Sequence, residues 1–250
     1  MHREAVRKIA GYALAIAFIF AGWHITAMLV GSPALPEPLP AVRQLIAYGD
    51  EILPAFGTSL YRVVIAMFAG TVLAIPLGLV CGRSARLDAV FAPVLYFLYP
   101  LPKVVLLPVL IVLMGLADAP KIALIALTIF FQVLVTVRDA AKAVPEDSIE
   151  SVRSLGAGRL DVYRHVVVPA TLPELFTALR ISSGTAVAIL FFAESLAGST
   201  GLGYFIVNSW ALLDYPRMFA GIIAMAVLGV ILYELFDVAE RRLTRWRRPA

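Results

Sequence analysis

The sequence predicts an all-α, polytopic membrane protein with about six transmembrane helices, and three observations carry that expectation. Of the 250 residues, 61% are hydrophobic and 15% charged, against about 45–50% and about 25% in soluble domains. Mean hydropathy is +0.88. Several apolar runs reach the roughly 20 residues that a helix needs to cross a hydrocarbon core, and they lack the alternation in segments of about ten that marks barrel strands.

The predicted spans are 9–30, 57–80, 90–115, 119–137, 175–197 and 217–238. The basic start MHREAVRK precedes an apolar run that is too long for a signal peptide and lacks a small-x-small cleavage site, so it reads as a retained first span. In GSPALPEPLPAVRQLIAYGDEILP (31–54), Pro33, Pro36, Pro38 and Pro40 forbid a helix, and a short amphipathic one is expected from Pro40 to Tyr48. GRSARLDA is a short connection after span two. LADAPK is a turn in which Pro120 opens the next helix. The longest polar connection is 138–174. After span five comes the turn GSTGLG (198–203), then a polar or amphipathic stretch, YFIVNSWALLDYP. The chain thus divides into an N-terminal part (1–55: cytoplasmic end, first span, extracytoplasmic linker), a core domain (56–240) and a basic cytoplasmic tail (241–250).

Lys and Arg are distributed unevenly among the loops. With the N-terminus cytoplasmic, the inside segments hold Arg3, Arg7, Lys8, Arg83, Arg86, Arg138, Lys142, Arg153, Arg159, Arg164, Arg241, Arg242, Arg245, Arg247 and Arg248. The outside segments hold Arg43, Lys121 and Arg217. This bias places both termini and the 138–174 loop inside, and it accounts for the net charge of +4 without a nucleic-acid partner. The basic tail fits the lipid of an anionic inner leaflet. The one cysteine, Cys81, makes neither an internal disulfide nor a zinc site and reads as a small apolar residue.

IESVRSLGAGRLDVYRHVVVPATLP, Ile149 to Pro173, is unusually charged for its surroundings. Pro145, Glu146, Asp147 and Ser148 read as a helix start, with acids at the positive end of the dipole. Ile149, Val152 and Leu155 form a short apolar stripe. Gly156-Ala157-Gly158 breaks the helix, and a second one, Arg159 to Val167, is expected to stop at Pro169. Such a knob cannot bury its stripe alone and calls for a groove on another protein; the alternative is a solvated helix-turn-helix.

Glu150-Ser151-Val152, then Gly156, then Val166-Val167-Val168-Pro169 resembles the EAA motif of ABC importer permeases: E-A-A, three residues, G, nine residues, I-x-L-P. Ser151 and Val152 replace the two alanines, and Val166 and Val168 replace Ile and Leu. LPEPLP, PLGLVCGRSARLD, YPLPKVVLLP, RSLGAGRLDVYRHVVVPATLPE and GSTGLGYFI are similar to the nitrate/sulfonate/taurine-type permeases, whose relatives include importers of pyrimidine thiamine precursors. The similarity covers roughly residues 35 to 245. It implies a MetI-like, type I permease of the bacterial cytoplasmic membrane, most often a homodimer. Two ATPase subunits would each receive one loop (145–170), and a periplasmic or lipid-anchored solute-binding protein would deliver a small polar or anionic solute, sulfonate-like first, for inward transport by alternating access. Within the loop, the resemblance makes Glu150 and Arg153 polar contacts at the ATPase rim and Leu155, Gly156 and Ala157 a close-packed tip. Ser151, Val152, Ser154 and Pro169 complete the motif.

The chain itself carries no P-loop, so ATP and Mg belong to the partner ATPase, and no cofactor is expected on this subunit. Neither His-Glu-x-x-His nor Gly-x-Ser-x-Gly is present, so the chain is not expected to be an enzyme. Gly201-Leu202-Gly203 lacks the strand and third glycine of a dinucleotide site. Two rival classes remain: an ion-gradient-driven secondary transporter, which leaves the knob unexplained, and a non-transporting scaffold, which needs no polar pathway.

Polar groups inside spans are costly and tend to face a cavity. Tyr99, Pro100, Pro102 and Lys103 form the leading pathway candidate, because two prolines free backbone that protein or water must line; a sulfonate could meet Lys103 there. Gln132 and Glu194 join the pathway set. Glu194 either faces the pathway or pairs with Lys103, and Gln132 reads as an interhelix hydrogen bond ahead of a ligand contact. Arg180 and Arg62 are expected to snorkel. His24 reads as packed or interfacial. Ser182, Ser183, Gly184, Ala186 and Ala188 would allow close helix approach at a dimer interface.

Overall fold

The structure, a computed structural model, describes the backbone of residues 2–245 and side chains from residue 10 onward. The side chains of Arg3, Arg7 and Lys8, and the tail residues Arg247 and Arg248, lie outside the described residues. Among the described residues eleven α-helices follow in order: α1 (His2–Val30), α2 (Pro38–Ala47), α3 (Gly49–Arg83), α4 (Ala85–Leu98), α5 (Leu107–Met114), α6 (Asp118–Lys142), α7 (Glu146–Ser154), α8 (Arg159–Val162), α9 (Val168–Ala197), α10 (Leu202–Ala211) and α11 (Tyr215–Leu243). Among the described residues there is no strand.

Among the described residues, five segments are long and apolar enough to cross a membrane: Ala10–Val30, Gly49–Arg83, Asp118–Lys142, Arg159–Ala197 and Tyr215–Leu243. The sixth crossing differs from the uninterrupted span expected over 90–115. There α4 and the segment Lys103–Met114 meet at 84°, because Pro100 and Pro102 supply no N–H to continue α4. The linker helix α2 starts at Pro38 rather than Pro40, since proline is tolerated throughout a first turn, where the N–H groups have no intrahelical acceptor. The stretch after GSTGLG is a regular helix, α10, with Leu202, Phe205 and Ile206 buried.

The centre of the molecule is the pairing of α3 with α6. Ala66, Gly70, Ala74, Gly78 and Gly82 recur every fourth residue along α3, one row of a helix face. A Cβ on Gly70 would stand 2.6 Å from the Ala126 carbonyl, and one on Gly78 would stand 2.9 Å from Val137 Cβ. The two backbones therefore meet with nothing between them, the packing that membrane helices use in place of a hydrophobic driving force. α9, α10 and α11 complete the bundle around buried Leu190, Leu202 and Leu228. α1 is peripheral; it docks through Trp23, which stacks on Phe219 at 5.1 Å and donates to the Pro36 carbonyl, while Phe18 is 80% exposed.

Ion pairs fasten the helix ends. At the end that carries the α6–α9 loop, Arg138 and Lys142 hold Asp88 of α4. Arg180 does not snorkel: it lies 3.1 Å from Asp237 and 3.0 Å from Glu240 and so ties α9 to α11. His24 is partly exposed, 3.8 Å from Glu37, and Cys81 is buried and free.

Candidate functional site

The 145–170 loop forms a projecting elbow. Glu146 and Asp147 open α7. Its last turn closes as a Schellman motif: Ala157 N–H donates to Val152 O and Gly156 N–H to Arg153 O. Gly156 has φ +88°, a conformation that a side chain disfavours. The Gly158 N–H then donates to the Asp161 carboxylate at 3.0 Å, which fixes the start of α8.

The expected apolar stripe is divided. Ile149 is packed into the subunit's own core, Val152 is half-buried, and only the tip is free: Leu155 is 86% and Leu160 79% exposed. Glu150, Ser151, Arg153, Ser154 and Gly156 are exposed and Ala157 half-buried. Ser151 and Ser154 donate back to the Asp147 and Ser151 carbonyls, so their hydroxyls are used within the helix.

Pro169 does not end the second helix. From Tyr163 to Val167 the backbone widens into one π turn, in which Val168 N–H donates to Tyr163 O, five residues back. The wider turn makes room for the proline ring where an α-turn would clash. The result is one apolar helical segment of 39 residues, Arg159–Ala197, about 58 Å long at 1.5 Å per residue. It is long enough to run from the elbow across the hydrocarbon core of a bilayer.

At the α4–α5 break, the Lys103 ammonium donates to the Tyr99 carbonyl and stands 5.4 Å from the Tyr99 ring and 5.1 Å from the Phe131 ring. No carboxylate pairs with it among the described residues. Gln132, next to Phe131 on α6, does not make the expected interhelix bond; its Oε1 is buried without a hydrogen-bond partner. Tyr99, Leu101 and Val105 on the break are 46%, 46% and 69% exposed.

Glu194 belongs elsewhere. It is 0% exposed at the end of the bundle opposite the elbow, and its partner is Arg62 at 2.7 Å rather than Lys103. Arg62, likewise, does not snorkel but is buried. Its Nη2 lies 2.5 Å from Asp118, and its guanidinium also donates to the Thr200 carbonyl and hydroxyl. The Ser59 hydroxyl donates to the Glu194 carboxylate and accepts from Leu202 N–H, and Gly203 N–H donates to Glu194 at 2.9 Å. GSTGLG is the cover of this cluster: a Cβ at Gly201, whose φ is +101°, would overlap the Glu194 carboxylate. α3, α6, α9 and α10 are thus joined by a hydrogen-bonded ion cluster in which Arg62 and Glu194 are buried and Asp118 is half-exposed.

The small residues of α9 separate by face. Ser182, Ser183 and Ala186 are buried in their own subunit and so are unavailable to an interface, whereas Gly184 and Ala188 are exposed beside Ile181 and Phe192.

Residues 74–245 match the family described as binding-protein-dependent transport system inner membrane component. The chain is 31% identical over 232 residues to the taurine transport system permease protein TauC of Escherichia coli K12, covering 90% of this chain and 84% of that protein. It is 29% identical over 231 residues to the formylaminopyrimidine transport permease protein ThiX of Halalkalibacterium halodurans, covering 90% and 91%. Among solved structures, an inward-facing conformation of the MetNI methionine ABC transporter matches with a TM-score of 0.64 at 20% identity, covering 77% of this chain and 95% of that one.

Proposed function

Since the chain belongs to the family of binding-protein-dependent transport inner membrane components, the permeases of ABC importers, we propose that it carries a small anionic organic solute, sulfonate-like, inward across the bacterial cytoplasmic membrane. Transport is driven by a separate ATPase, which binds ATP and Mg and docks on the elbow. The observation that supports this coupling most is the free apolar tip, Leu155 and Leu160, on a helical segment that continues into the membrane. A push on such a tip moves the whole crossing as a lever. A secondary transporter has no use for it.

The crowding of Lys and Arg at the elbow end supports a cytoplasmic location for the elbow and both termini. A solute-binding protein then meets the opposite end. A second copy of the chain covers the exposed α4–α5 break and the Ile181, Gly184, Ala188 and Phe192 face of α9, because non-helical backbone at membrane depth needs protein or water against it. Between the copies, Lys103 presents an ammonium with N–H groups to spare to a passing anion. TauC, named for a sulfonate, supports that solute class. ThiX, named for a pyrimidine, supports a second reading with a neutral solute.

Lys103→Gln separates the two. For an anionic solute such as taurine, loss of a charge-assisted contact of about 1.5–3 kcal/mol raises the KM for uptake about tenfold or more with the ATPase rate unchanged. Equal KM values for the variant and the parent chain would favour the neutral solute.

A further inference from the structure

We propose that the cavity beneath the elbow is a binding site for a phosphate ester: the head group of an anionic lipid in the adjacent leaflet, or a free phosphate compound. The cavity measures about 370 Å³. Three arginines reach it from three separate elements: Arg83 from the last turn of α3, Arg153 from α7 and Arg159 from the first residue of α8. One carboxylate faces them, Glu146, at 2.5 Å from Arg83 and 3.9 Å from Arg153. The Arg159 side chain has no ion pair or hydrogen bond among the described residues, and the neighbouring Asp161 carboxylate is turned to the Gly158 N–H. The cavity therefore holds an excess of positive charge that nothing in the subunit's own fold answers.

Guanidinium groups bind phosphate through paired N–H donors and hold it better than a lone point charge does. The floor of the cavity is apolar, made by Ile149, Val162 and Val167, all buried. An arginine rim over an apolar floor suits an amphiphile whose phosphate meets the rim and whose glycerol and first methylenes meet the floor. A cytoplasmic leaflet supplies anionic lipid at this level, so the lipid source rests on the orientation given above. Arg83, whose side chain is 17% exposed, forms the half-buried wall; Arg153 and Arg159 are the exposed rim.

The test uses the full chain in nanodiscs without any ATPase, so that it is independent of the coupling reading. Native mass spectrometry counts retained phosphatidylglycerol in mixed phosphatidylcholine–phosphatidylglycerol discs for the parent chain, Arg83→Gln and Arg159→Gln. Since the Arg159 side chain holds nothing in the fold, its variant folds even if Arg83→Gln does not. In a second arm, inorganic phosphate is titrated against Tm in discs of phosphatidylcholine alone. Retention of phosphatidylglycerol over phosphatidylcholine that falls at least tenfold in Arg159→Gln establishes the lipid source. A phosphate-dependent rise in Tm that disappears in Arg159→Gln, without selective lipid retention, establishes the free-phosphate source. Retention and Tm that are the same in parent and variants overturn the proposal.

Discussion

Arg62→Ala is expected to cost the subunit about 3–5 kcal/mol, the usual penalty for breaking a buried ion pair by removing one partner. At roughly 2–4 °C per kcal/mol for a chain of this length, Tm in detergent falls by about 10 °C. The loss is large because Glu194 is 0% exposed and would lose its guanidinium partner, leaving the Ser59 hydroxyl and the Gly203 N–H as its hydrogen-bond donors. Asp118 would lose both of its bonds from the guanidinium. The double variant Arg62→Ala/Glu194→Leu removes both charges and should be more stable than Arg62→Ala alone, a non-additivity that a merely crowded site does not produce. Gly201→Ala should resemble the single variant, because its Cβ displaces the carboxylate. A thermal melt of the parent, Arg62→Ala, Glu194→Leu, the double variant and Gly201→Ala decides the matter; a double variant that is the sum of its two parts would show that the ion pair is not what holds this end together.

Gly156→Asp is expected to reduce ATP-driven uptake at least tenfold while leaving the subunit folded. No atom outside the turn lies within 4 Å of the position a Cβ would take, so the cost to the isolated subunit is backbone strain, about 1 kcal/mol. The damage falls on the tip. With φ at +88° disfavoured, the Ala157-to-Val152 bond that closes α7 opens, Leu155 changes direction, and a carboxylate enters the face offered to the ATPase. Gly156→Ala, which brings the strain without the charge, should fall between the two. Uptake assays in proteoliposomes with matched Tm measurements separate coupling from folding; unchanged uptake in Gly156→Asp would remove the tip from the mechanism.

The parts of this molecule that were legible in the sequence are those whose information is local. Six apolar segments follow from run length alone, and the elbow follows from the spacing of Glu150, Gly156 and Pro169. The break at Tyr99–Pro102 was visible as a place where backbone is freed, though its 84° angle depends on what packs around it. The buried cluster was not legible, because its members lie far apart: Arg62 to Glu194 spans 132 residues. Its only signal was the presence of two ionisable groups in apolar runs, which individually read as snorkelling or pathway residues. Once Arg62 and Glu194 are paired, the glycines of GSTGLG acquire a reason, since two of them stand against the carboxylate. Pro169 misled for the opposite reason: the local rule is sound, but a single π turn satisfies it without ending the helix. The row of small residues on α3, Ala66 to Gly82, was present at a four-residue interval and needed only to be counted.

The most direct test of ATPase coupling through the elbow is uptake in proteoliposomes assembled with and without the ATPase subunit, with ATP enclosed and the solute held by its binding protein outside. Uptake should be absent without the ATPase, whatever ion gradient is imposed, and should return when the subunit is added. Uptake that persists in its absence and follows an imposed ion gradient would contradict the account.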